Sequence, residues 1–388
     1  MNATETHSDP GPWLLGPRLD TLGLLGSVAV SWLLCALWWT GQLSTANLVA
    51  LWIFGIHGPH FFGTWARTLF DREERAERGS LFAKSWGWFA VGPAAVGAAL
   101  LLDIPDLSKT FLFFAAVWAF HHVIKQHFGF VALFRARHKQ FDRADLMLTR
   151  RYLIFSLWAP IVTMILESDF WLLQAPFILQ LAESVGPERL LGWRDQAVSV
   201  LEVLFWVAQG LFIASRLVRW KRGRKTSVQE LALLLACVPL GYVLAQLMIA
   251  RSAAPMASDP IAPYAMVPLF TIYHNVQYMC LLYVYGRARY KADDAPQRYG
   301  FAARLHRSLL WFGGAALLYT FGTIGIQQYG IPAFENDTSL GQLLAAFIWG
   351  FSFQHYFLDA YIWKVSQDRS LSAALGFTPP AKAAPQVS

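Results

Sequence analysis

The chain has 388 residues, of which 55% are hydrophobic and 15% charged, a balance too apolar for a water-soluble domain and typical of a helical membrane bundle. Strand-like alternation is absent, which argues against a transmembrane β-barrel. The formal net charge of +7 is assigned to membrane topology and anionic lipid, and no nucleic-acid partner is expected.

Residues 1–20 carry Glu5, Asp9 and prolines where a signal peptide has a basic n-region, and no small-residue cleavage site follows the first apolar run, so a cleaved leader is not expected. Ten apolar stretches follow, at 22–40, 46–68, 82–102, 110–134, 152–166, 198–218, 228–250, 261–285, 309–326 and 340–363. Each is read as a helix able to cross a hydrocarbon core of about 30 Å. Between the fifth and sixth, 170–182 is apolar but short, and reads as an interfacial or re-entrant helix. Cys35, Cys237 and Cys280 lie singly in apolar runs with no CxxC pair, so they are expected to pack rather than to form disulfides.

Loop charges orient these spans, since Lys and Arg stay on the cytoplasmic side. Residues 216–225 hold six basic residues and no acid, while 135–151 and 287–307 each hold six bases against two acids. The alternate connections are acidic, with five acids against two bases in 167–195 and two against one in 103–109. In 327–340 only Glu335 and Asp337 are charged. Segment 67–84, with five bases and four acids, is the weakest of the series. The expectation is an all-α polytopic inner-membrane bundle of about ten spans with both termini cytoplasmic. Residues 1–370 form one transmembrane domain and 371–388 a disordered tail.

Of the ten histidines, His7, His138 and His306 fall in the tail or in basic loops and are expected to be solvated. The other seven lie in even-numbered spans: His57 and His60 in the second, His121, His122 and His127 in the fourth, His274 in the eighth and His355 in the tenth. At a rise of about 1.5 Å per residue, His57, His121, His274 and His355 lie roughly 16 to 23 Å from their outer ends. His60 and His122 share that depth, and His127 is about a turn deeper. Ionisable groups in a membrane face the bundle interior or a cavity, so matching depth marks a site.

Local patterns refine the set. In HGPH, Gly58-Pro59 is expected to break or kink the span. In HHVIKQH, His121 and His122 lie about 100° apart and His127 faces away from both, so the three cannot all reach one centre. Lys125 shares a face with His121 and either pairs with Asp359, holds an anionic substrate group or snorkels inward. The run Tyr273-His274-Asn275-Val276-Gln277-Tyr278 is too rich in hydrogen-bonding groups for a lipid-facing surface. His355 and Asp359 share a face at i, i+4, a spacing that suits two ligands or a ligand and its orienting carboxylate.

The candidate ligands are therefore His57, His60, His121, His122, His127, His274, His355 and Asp359. Lys125, Tyr273, Asn275, Gln277 and Tyr356 are the candidate catalytic groups beside them. A thiolate-free shell of imidazole and carboxylate suits non-haem iron first, with zinc, copper or haem as alternatives. In hydrocarbon the partners are membrane lipids, a small apolar substrate and O2, and iron-dependent oxygenation is the simplest reaction class. A haem b protein and a proton-coupled transporter using the His, Lys and Asp groups are the rival readings.

The HxxxH and HxxHH boxes of membrane desaturases are not present. Histidines scattered over several spans, including the His57-Gly58 pair, resemble the bacterial Brp/Blh group of integral membrane β-carotene dioxygenases. That resemblance covers short patches and the architecture. It implies oxidative cleavage of a polyene at histidine-bound iron, with ligand-type roles for His57, His121, His274 and His355. Aromatic residues make up 15% of the chain and would suit a polyene or prenyl pocket, although interfacial belts and helix packing account for most of them.

Overall fold

The described residues of the ten apolar stretches lie in or at the ends of helices, and among the described residues there is no strand, only an isolated bridge between Asp71 and Gly300. The computed structural model describes residues 11–168, 176–224, 226–253, 259, 262–335 and 339–377. A π-helical turn, Leu19–Leu25, leads into α1 (Gly26–Trp39). Then α2 (Thr45–Trp52), a second π turn (Ile53–His57) and α3 (Gly58–Arg67) follow without leaving helical dihedrals. Next come α4 (Arg72–Glu77), α5 (Gly79–Leu101), α6 (Pro105–Arg137), α7 (Arg143–Glu167), α8 (Pro176–Val185), α9 (Pro187–Lys221) and α10 (Val228–Ala253). A 3-10 turn, Ala262–Ala265, opens α11 (Met266–Arg289). The chain ends with α12 (Ala295–Tyr299), α13 (Phe301–His306), α14 (Leu309–Glu335), α15 (Ser339–Ile362) and α16 (Arg369–Ala374).

Four helices, Leu19–Trp39, Asp106–Arg137, Pro187–Lys221 and Val228–Arg251, are long and apolar enough to cross a membrane by length and composition. The exterior fits that class. Val200, Val203, Leu204, Val207, Leu211 and Ile213 of α9 are exposed, as are Leu310, Leu318 and Phe321 of α14, a surface that water disfavours and lipid accepts. The largest core lies among α1, α6, α7, α10 and α11, around Leu24, Ile124, Leu157, Leu244 and Phe270.

Side-chain caps set several helix starts. Ser44 accepts from the Asn47 amide at 3.2 Å, Asp71 from those of Glu73 and Glu74 at 2.9 and 3.1 Å, and Asp142 from that of Asp145 at 3.2 Å. Each is worth about 1 kcal/mol. At the predicted cytoplasmic end, buried Arg135 binds Glu230 at 2.6 Å, Asp145 at 2.8 Å and Thr149 at 2.7 Å, tying α6 to α7 and α10.

Helices α5 and α15 approach through glycine on both sides. A Cβ on Gly92 would stand 2.6 Å from the Ala346 carbonyl oxygen, and one on Gly350 would stand 2.6 Å from that of Phe89. Small residues permit such backbone approach where lipid supplies no hydrophobic drive. Gly350→Ala is expected to destabilise the bundle by about 1–3 kcal/mol through overpacking. Gly313→Ala on α14, where nothing stands within 4 Å, should be neutral or stabilising in the same thermal unfolding assay.

Three expectations need correction. Order does not stop at 370, because Asp368 caps α16 through the Leu371 amide at 2.9 Å and Leu371 and Leu375 are buried; of the expected tail, 378–388 lie outside the described residues. Of segment 170–182, the part up to 175 lies outside the described residues, and the rest falls in the ten-residue helix α8, too short to span. His138 is not merely solvated, since its Nε2 meets Gln229 Oε1 at 3.1 Å. His306 packs against the rings of Tyr290 and Phe312 at 4.9 and 5.3 Å. His7 lies outside the described residues. The three cysteines are free, Cys35 and Cys237 being buried.

Docking of α16 carries a pH dependence. Burial alone would push the Asp368 carboxyl up, but Arg67, the Leu371 amide and Arg78 outweigh it and hold it below the usual 3.8. A depressed folded-state value means the stabilisation is complete above 3.8 and is lost as pH falls through the lower, folded-state value. Amide exchange over 369–377, corrected for intrinsic rates, should therefore rise in that acid window. Asp368→Asn should show the raised exchange already at neutral pH.

Candidate metal centre

Helices α3 and α6 each pack against both α11 and α15, and each of the four sends one histidine to a common point. On α3 the placement begins with Pro59, which has no N–H to give to the turn before it. The span is not broken there as HGPH suggested. The preceding π turn makes a wider bond, from the Gly58 N–H to the Ile53 carbonyl, and Pro59 sits in the first turn of α3 where a missing donor is tolerated. His60, Thr64 and Arg67, spaced by four and three residues, then share one face.

His60, His122, His274 and His355 offer nitrogen atoms that all lie within 4.8 Å of one another. The closest pair is His60 Nε2 and His355 Nε2, 2.9 Å apart. The rings of His60 and His274, His122 and His274, and His122 and His355 lie 5.0, 5.1 and 5.0 Å apart between centroids. His60, His274 and His355 are 1–2% exposed, so no bulk water serves their nitrogens.

The hydrogen-bond accounting around His355 shows which way its lone pair points. Thr64 Oγ1 lies 2.6 Å from His355 Nδ1, 2.6 Å from the Tyr278 hydroxyl and 3.3 Å from Asp359 Oδ1. A hydroxyl has one proton and accepts two bonds. Thr64 therefore donates to the carboxylate and accepts from Tyr278 O–H and His355 Nδ1–H, which leaves His355 Nε2 unprotonated toward His60. Orientation of a ligand imidazole through its other nitrogen is the usual arrangement at metal sites.

The surrounding atoms fit a cation. His122 Nε2, His274 Nδ1 and Asp359 Oδ2 are buried without a hydrogen-bond partner, and each such group costs about 1–3 kcal/mol if nothing satisfies it. Two nitrogens 2.9 Å apart, at metal–nitrogen lengths of about 2.0–2.1 Å, would subtend about 90° at one ion. Asp359 Oδ2 stands 3.5 Å from His355 Nε2 and 3.8 Å from His122 Nε2, close enough to balance the charge of a bound ion.

The remaining sequence candidates are placed around this group, not in it. His57 ends the π turn, stacked on Trp52 at 4.0 Å and edge-on to Phe61 at 4.6 Å. His121 turns toward α7, where Trp158 Nε1 donates to its Nδ1 at 3.4 Å. His127 donates Nδ1–H to the Val123 carbonyl at 2.7 Å, and its ring stands 6.5 Å from that of His274. Helical geometry thus separates the three α6 histidines as the spacing required, and His122 is the one that faces inward. Of the ligand set implied by the Brp/Blh resemblance, the group contains His274 and His355, while His60 and His122 stand in place of His57 and His121.

Lys125 is exposed and no bond joins it to Asp359, as snorkelling along α6 requires. Tyr356 stacks on His122 at 4.4 Å and 28°. The Tyr273 ring lies 4.8 Å from that of His127 and its hydroxyl is buried without a partner, as is Asn275 Nδ2. Gln277 is a tie between helices, its Nε2 donating to the Leu24 carbonyl at 2.7 Å. Thr64 is the member missed in the sequence. Its signal was spacing: it lies four residues after His60, as Tyr278 lies four after His274.

Below the group, Arg67 is fully buried between the rings of Tyr285 and Trp363, at 4.1 and 3.9 Å from their centroids. Its Nη2 donates to Asp368 at 2.8 Å and to the Ile362 carbonyl at 2.5 Å. This joins the foot of α3 to the end of α15 and to α16.

Comparison with protein-family models, curated proteins and solved structures gives no match.

Proposed function

We propose that this chain is an integral inner-membrane oxygenase of about ten spans with cytoplasmic termini, using non-haem iron to oxidise a lipid-soluble substrate of the carotenoid, prenyl or acyl-lipid class. The observation that carries the reading is the convergence of four imidazoles from four helices, with unpartnered donor atoms, in an apolar bundle. Nitrogen donors with one nearby carboxylate and no thiolate suit iron, zinc or copper. Iron held there would activate O2, which dissolves readily in hydrocarbon. The protein's own part is to fix the imidazoles through Thr64 and Tyr278, and to exclude water by burial.

The alternation of basic and acidic connections supports the ten-span count. Four nitrogens around one point suit a single ion better than a haem, whose axial imidazoles flank a macrocycle. Lys125 makes no ion pair with Asp359 among the described residues, which counts against the proton relay that a transporter would use.

Metal analysis and oxygen uptake test the proposal together. Freshly purified protein should hold about one iron per chain, show no Soret band, and consume O2 when given a carotenoid, prenyl or acyl lipid in detergent. A chain without stoichiometric metal, or one whose uptake never exceeds that of its chelated form with any of the three, would sink it.

A further inference from the structure

A second site lies on the other side of the contact between α3 and α11. There a cavity of about 470 Å³ opens between the π turn, α3, α11 and α14, walled by Ile56, Pro59, Val276, Met279, Leu282 and Phe312. Its volume is that of a small-molecule site, roughly 300–1,000 Å³. None of the four clustered histidines lines it.

One end of this cavity is polar, and uniformly of one sign. Arg287, His306, Arg307 and Ser308 line it, and neither arginine has an acidic partner among the described residues. His306 Nε2 is buried with no hydrogen-bond partner. Burial lowers the basicity of that imidazole, to a pKa of about 4, so it is neutral and can offer a ring N–H as a hydrogen-bond donor to an anion. Ser308 caps α14, accepting from the Leu310 amide at 3.2 Å, so the positive end of a long helix dipole points the same way. The segment belongs to the basic connection assigned to the cytoplasm, the side on which anionic phospholipids lie.

An apolar channel ending in two unpaired guanidiniums, a neutral donor and a helix N-terminus is complementary to an amphiphile with an anionic head. We infer that this cavity holds one acyl chain of an anionic phospholipid, with its phosphate against Arg287, Arg307 and the start of α14. The inference stands whether or not the histidine group binds metal.

Native mass spectrometry of delipidated, detergent-solubilised protein tests it, with phosphatidylglycerol and phosphatidylcholine of equal chain length as probes. The protein should take up one phosphatidylglycerol about thirtyfold more tightly than phosphatidylcholine, since two basic residues contribute. Arg287→Ala/Arg307→Ala, at exposed positions, should abolish that preference while leaving the circular dichroism unchanged. Met279→Trp, which fills the channel, should weaken both lipids. Equal affinity for the two lipids in the parent protein, or a preference that survives the double arginine variant, would overturn it. So would a fatty acid or inorganic phosphate that binds as tightly as phosphatidylglycerol.

Discussion

His274→Ala and His355→Ala should each lower the affinity for iron or zinc by more than about 100-fold, because loss of an outer partner alone costs 10–100-fold. Both residues belong to the group whose nitrogens lie within 4.8 Å, and each comes from a different helix, so no neighbour can substitute. Thr64→Val should fall in the range of about 10–100-fold. It keeps all four imidazoles but frees His355 Nδ1 and Asp359 Oδ1 from the hydroxyl that sets them. His121→Ala is the informative control. It removes a histidine from the same helix as His122, yet His121 faces Trp158, and metal content should stay within about twofold of the parent. Equal loss in all four variants would mean that metal follows overall folding and not this geometry.

Arg67→Met is expected to destabilise the protein by about 3–5 kcal/mol, the usual result of removing one member of a buried ion pair. Three losses coincide. Asp368 keeps Arg78, at 3.0 Å, as its one remaining cationic partner; the Ile362 carbonyl loses its donor; and the facing rings of Tyr285 and Trp363 lose the cation between them, which is worth about 2 kcal/mol when desolvated. Arg67→Lys should recover less than half, since an ammonium cannot lie flat between two rings and bind two acceptors at once. Arg78→Met, which removes a partly exposed partner of the same carboxylate, should cost under about 1 kcal/mol. Thermal unfolding in one detergent ranks the three. If Arg67→Met matched Arg78→Met, the buried sandwich would not be the fastening described.

The helical class was legible because composition and apolar run length leave few other solutions, and the described residues of the ten stretches do fall in or at the ends of helices. That histidines of the even-numbered stretches could meet was legible from rise per residue alone, and four of them do. Which histidine faces inward was only half legible. Helical spacing said that His121, His122 and His127 diverge, but choosing His122 depends on where α11 and α15 sit. His57 was overvalued because HGPH reads as two equivalent histidines three apart, whereas the π turn ends at the first and places the second on the inward face. Thr64 drew no attention because a threonine in an apolar run usually satisfies its hydroxyl on its own helix. Arg67 was counted as a loop charge, and its burial depends on Trp363 and Asp368, some three hundred residues away.

The π turn at Ile53–His57 makes the second span a helix with one residue more than its α-helical period needs. The face of α2 and the face of α3 are thereby out of phase by about 100°. Trp52 and His57 are left stacked on each other at the seam. Removing one residue there would restore an ordinary helix and a smoother hydropathy profile, yet it would swing His60 away from His355 and turn a neighbour inward instead. Conversely, insertions upstream in the loop before Ser44 are absorbed without touching the phase. For this span, then, count should matter more than residue type: between Thr45 and His60 any inserted or deleted residue turns His60 off the inward face.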